Sequence, residues 1–144
     1  MIAVEVQHYL GRARDFLKGM EGLVREDIYL LNDEIAQFKH SPALLGVHSA
    51  ISYSDALRTG MGRKILSSDD HSRAVGDLES LLQSQNAENR NGIGHLKKLL
   101  GMKSGVAYGL EALREGDVDE IVKHAERFAK WAEATGRKQR IEGW

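Results

Sequence analysis

His48, Ser52 and Asp55 recur at intervals of four and three residues inside Gly46–Leu57, "GVHSAISYSDAL", a stretch otherwise built from small and apolar side chains. At the pitch of an α-helix these three and Thr59 share one face, within about 60° of one another. Leu44 and Ile51 border that polar stripe on one side, Leu45 and Ala56 on the other. A helix that is apolar nearly all round is usually a central one, so the stripe is expected to face the interior or a cleft. An ionised carboxylate there needs a partner, because burial of an unpaired charge is costly. Lys103 offers one. It stands in the middle of a second apolar stripe formed by Leu96, Leu99, Leu100, Ala107 and Leu110, from which a lysine either reaches outward along its stem or meets a carboxylate. Two readings are open. His48, Asp55 and Lys103 form a polar network that fixes helix register, or they line a pocket. His48 is expected to be substantially buried, with a ring nitrogen hydrogen-bonded inside the bundle. His71 is either a surface residue or a neighbour of His48 across a cleft.

The elements that position these residues are helical. Val6, Leu10, Ala13, Leu17 and Met20 form one stripe at helical spacing, and Val24, Ile28, Leu31, Ile35 and Phe38 form another. Ser41 is a suitable N-cap and Pro42 suits the first helical position, where its missing N–H is no loss. Gly60 and Gly62 are expected to end that helix. Ala74, Val75, Leu78, Leu81 and Leu82 share a face, the polar "QSQNAENRN" reads as a loop, and "IGHLKKLLGMKSGVAYGL" carries the fifth helix. Asp117 and Glu120 have capping-box spacing ahead of Val118, Ile121, Val122, Ala125, Phe128 and Ala132, with Gly136 as the stop. The expected architecture is all-α, an antiparallel bundle of five or six helices. It forms a single domain over 1–136, followed by a basic tail, 137–144, that reads as a frayed end.

The totals agree. A chain of 144 residues can bury a core without staples. One proline, 28% charged residues and few β-branched runs favour helix. There is no cysteine, which excludes disulfides and thiolate metal sites and fits a cytoplasmic protein. A net charge of −1 argues against broad nucleic-acid binding. The N-terminal stretch has no apolar run of signal-peptide length, and no segment is long enough to span a membrane.

"HSAISYSDAL", "TGMGRK", "HSRAVGDLESLL", "LKKLLGMKSGVAYG" and "AERFAKWA", spread from about Ala43 to Ala132, resemble a bacterial HEPN-like helical domain. The resemblance implies an antiparallel bundle, commonly a homodimer. Some members of that family are RNases, some bind nucleotides, and several pair with a nucleotidyltransferase in toxin–antitoxin modules. The family's RNase motif is an arginine followed, four to six residues on, by a histidine. In the matching segment Lys103 stands at the arginine position and Tyr108 at the histidine position. Lysine lacks the planar fork that holds a phosphate, and tyrosine is a poor base at neutral pH. Another register, "RNGIGH", supplies Arg90 and His95 at the family's spacing. Two functions follow. One is a catalytically degenerate module that binds a protein partner or a small ligand or nucleotide as a homodimer, with no cofactor. The other is a metal-independent RNase using Arg90 and His95.

The remaining signals are weaker. "GMGRK" has glycines and cations but not the spacing of a phosphate loop, so a helix-ending turn is expected. The histidines match no di-iron or His-Glu-x-x-His pattern, so no metal site is expected. Gly94, Gly101 and Gly105 align within about 40° on the fifth helix, which suggests close approach of another helix from this chain or a second one.

Overall fold

The computed structural model describes residues 1–25, 40–66, 71–87, 89–108 and 115–144. Among them are five α-helices: α1 (Ile2–Arg25), α2 (His40–Gly60), α3 (Ala74–Ser84), α4 (Ile93–Tyr108) and α5 (Glu115–Lys138). A 3-10 turn, His71–Arg73, leads into α3. No strand occurs among the described residues. The stripe Val24–Phe38 lies largely outside them.

α2 is the central element and packs on α1, α3, α4 and α5. Its composition requires this position. Ala43, Val47, Ala50, Ile51, Tyr53, Ala56 and Leu57 are all buried, and they surround the helix axis rather than occupying one face. Its small residues let the neighbours come close. Around Gly46 stand Met20 of α1 and Ile121 and Ala125 of α5. Ser49 donates its hydroxyl to the Ala13 carbonyl of α1 at 2.8 Å, which satisfies a buried polar atom and ties the two helices.

The other helices contribute single faces. α1 buries Val6, Leu10, Ala13 and Met20, and α3 buries Ala74, Leu78 and Leu82. α4 adds Ile93, Leu96 and Leu99; α5 adds Val118, Ile121, Val122, Ala125, Phe128, Ala129 and Ala132. α3 ends where Asn86 takes a left-handed φ of 54°, and the Ala87 N–H caps Leu82 O at 2.9 Å.

Four local expectations meet the structure here: the glycine face of α4, the stop at Gly136, the frayed tail and the cap at Asp117. Among the described residues no atom stands near a Cβ built on Gly94 or Gly101, so no described helix packs along that face. The close approach is at Gly92, where the Trp131 ring occupies the space a Cβ would fill. Gly136 does not stop α5. The helix continues to Lys138 because Trp144 folds back over Gly136, again where only a glycine leaves room. The tail is accordingly an ordered cap. Ile141 is buried beside Gly60, and Ile141 N–H donates to Gly136 O at 3.1 Å. At the other end, Asp117 lies within α5 rather than at its cap, since Glu115 and Gly116 are already helical.

Candidate functional site

The polar stripe on α2 faces α1. His48 is half-buried, its ring 5.6 Å from that of Phe16, and Ser52 is buried. Tyr9 of α1 lies close enough to Asp55 for that carboxylate to raise its pKa, after burial, which is the larger cause. The seam thus carries a buried serine and two half-buried ionisable groups. His71, in the 3-10 turn, is half-buried. The side chains of Lys103 and Tyr108 lie outside the described residues, and with them the expected Asp55–Lys103 pair. α4 does pack on α2, as that pairing required.

Asp55 meets a cation from its own helix. Arg58 Nη1 stands 3.4 Å from Asp55 Oδ1, and Arg58 Nε donates to Asp77 Oδ2 of α3 at 2.7 Å. Arg63 Nε closes the other Asp77 oxygen at 2.8 Å. The signal for this was an aspartate and an arginine three apart on a helix with few exposed positions. A second hub is Glu133. Arg14 grips it with both Nε and Nη2 at 2.8 Å, the Tyr53 hydroxyl donates at 2.8 Å, and Trp144 Nε1 donates at 3.1 Å. Burial alone would push this carboxyl upward. The bonds from Arg14, Tyr53 and Trp144 outweigh it, and Glu133 titrates below the usual carboxylate range. Both hubs join helices and have their charges matched internally, so they read as architecture.

Two features remain that could handle a ligand. The first is a groove of about 480 Å³ between the loop ahead of α4 and the outer face of α5, within the size range of small-molecule sites. Arg127, Lys130 and Lys138 supply cations, Asn89, Thr135 and Gln139 supply hydrogen-bonding groups, and Trp131 forms an apolar wall. Among the described residues no acidic side chain lines it. Trp131 is held in place by its indole N–H, which donates to Asn89 O at 3.1 Å. Arg127 and Lys130 form a ridge, and on its other side lies a groove of about 600 Å³ between α1 and α5 that also contains Glu21, Glu126 and Glu133. Lys123, Arg127, Lys130 and Lys138 fall within about 80° on α5, opposite its apolar face. Read only for apolar periodicity, the sequence conceals this cationic stripe.

The second feature contains one residue of the RNase alternative. His95 Nδ1 of α4 lies 2.8 Å from His124 Nδ1 of α5, and His124 Nε2 lies 3.1 Å from Glu120 Oε2. Glu120 accepts from His124 Nε2–H, so the His124 Nδ1 lone pair faces His95, whose Nδ1–H donates to it. Burial, then the nearby His124, Arg127 and Lys123, lower the pKa of His95. Arg90 is exposed in the loop before α4 and lies outside this chain of bonds.

A pH dependence follows. The pKa of His95 is lowered in the folded state, while an unfolded histidine binds a proton near the ordinary value of 6.5. The unfolded chain then binds more protons in the window below 6.5, so stability rises with pH there. The contribution is fully present above about 6.5 and is lost as pH falls through the lowered value. Urea midpoints should therefore drop on acidification across that window, and less steeply in His95→Gln than in the wild type. Equal slopes in the two proteins would contradict this.

No described helix is long and apolar enough to cross a membrane, and no group of three or more metal-ligating side chains occurs among the described residues. No protein-family model matches the chain, and no curated protein or solved structure is similar enough to it to count as a match.

Proposed function

We propose that this chain is a HEPN-like helical module that binds a small phosphate-bearing ligand of nucleotide size, without catalysing its turnover, and that it acts as a homodimer. One observation carries the reading. Among the described residues, the Arg127/Lys130/Lys138 groove concentrates three cations with an aromatic wall and no acidic side chain, in a chain whose net charge is −1. Arginine offers a phosphate a bidentate fork, and lysine adds a point charge. The lysine and tyrosine at the family's catalytic positions support the non-catalytic part. The resemblance alone supports the homodimer and a nucleotidyltransferase as protein partner.

The second reading, a metal-independent RNase using Arg90 and His95, is favoured by a single feature: His95 is oriented through His124 by Glu120. Titration with a nucleoside triphosphate, RNA cleavage in EDTA and light scattering on one sample separate the readings. Saturable binding, no cleavage and a dimer mass are expected. Cleavage abolished by both Arg90→Ala and His95→Ala would replace the first reading with the second, and a monomer mass would remove the homodimer.

A further inference from the structure

We infer that His95 and His124 form a divalent metal site of the zinc class that clips α4 to α5. The inference is independent of the α5 groove. Two imidazole nitrogens of the same kind, both Nδ1, point at one another across 2.8 Å from different helices. Ligand nitrogens sit about 2.0–2.1 Å from a zinc ion, so two of them on one tetrahedral ion stand about 3.3 Å apart. A displacement of about half an ångström would make room for it. The remaining nitrogen of His124 is already engaged by Glu120 at 3.1 Å. That is the arrangement by which a carboxylate orients a metal-ligating histidine and raises its basicity. Metal binds the neutral imidazole.

In the metal-free protein a proton on His95 Nδ1 fills the gap. On binding, His95 moves that proton to its Nε2 and both Nδ1 lone pairs turn to the ion. Above the imidazole pKa no net proton leaves. Imidazole selects zinc, nickel or copper over magnesium or calcium. No third histidine or carboxylate joins the pair among the described residues. Lys123 and Arg127 lie near enough to act on His95 and oppose a dication, which moderates the affinity. Sequence spacing could not reveal the pair, because its members sit 29 residues apart on separate helices.

The test adds zinc chloride, nickel chloride or magnesium chloride to the full chain and follows thermal unfolding and imidazole NMR resonances. Zinc and nickel should raise the unfolding midpoint with the logarithm of their concentration, and magnesium should not. His95→Ala and His124→Ala should each abolish the rise, and Glu120→Gln should weaken zinc binding by about 10–100-fold. A zinc-dependent rise that persists in either histidine variant, or no rise in the wild type, would overturn the site. Should a histidine variant fail to fold, the wild-type spectra decide. Zinc must shift the ring resonances of both His95 and His124 together, and shifts confined to other histidines would refute the assignment.

Discussion

Replacing Arg58 by methionine should lower folding stability by about 3–5 kcal/mol, the cost of removing one partner from a buried charge network. The Arg58 side chain is 7% exposed between Asp55 at 3.4 Å and Asp77 at 2.7 Å. Methionine keeps much of the apolar stem but leaves two acids of 13% and 19% side-chain exposure facing the vacated space. Arg63 reaches only one oxygen of Asp77 and is itself half exposed, so it cannot substitute. The urea midpoint should fall with an unchanged slope. Adding Asp77→Asn to Arg58→Met should recover part of the loss, because the two residues share one interaction. Full additivity in that cycle would show that the guanidinium acts alone.

The second large effect is at Glu133. Glu133→Ala removes the acceptor of Arg14, Tyr53 and Trp144 together. The Tyr53 hydroxyl sits on a side chain 1% exposed and would lose its partner. Hydrogen bonds to a charged group contribute about 1.5–3 kcal/mol each, discounted here because Arg14 is half exposed, so a loss of about 2–4 kcal/mol is expected. Glutamine should fall between, since it can still accept from Tyr53. The acid side is equally specific. The folded pKa of Glu133 lies below the ordinary value of 4.5, so its stabilisation is complete above that pH and disappears as pH falls through the folded value. Acid unfolding of Glu133→Gln should be shallower than that of the wild type. Release of the tail should also change the Trp144 fluorescence in Glu133→Ala.

The helices were legible because their apolar spacing is regular. Val6, Leu10, Ala13 and Met20, or Val118, Ile121 and Ala125, bury the face that periodicity assigns them. The central role of α2 was legible too, because a helix with few polar positions has nowhere else to go. What spacing could not supply was the partner across the chain. Asp55 demanded a cation, and its type said so, but Arg58 and Lys103 were equally available to it by charge. His95 was visible as a candidate, whereas His124 becomes its neighbour only when α4 meets α5. The tail misled for a related reason. "GRKQRIEGW" is polar, yet Ile141 and Trp144 find glycines at 60 and 136 that leave room for them. The cations of α5 look like an ordinary solvated face until the loop at Asn89 folds over to make one wall of a groove.

The most direct measurement is an NMR titration of the full chain with a nucleoside triphosphate, read at the Trp131 indole N–H and repeated on Arg127→Ala/Lys130→Ala. The account predicts saturable shifts at Trp131 and Asn89, weakened at least about tenfold by the double substitution and by added salt, as for a charged site. Shifts that cluster instead on the His48–Asp55 seam, or binding that the double variant retains in full, would contradict it.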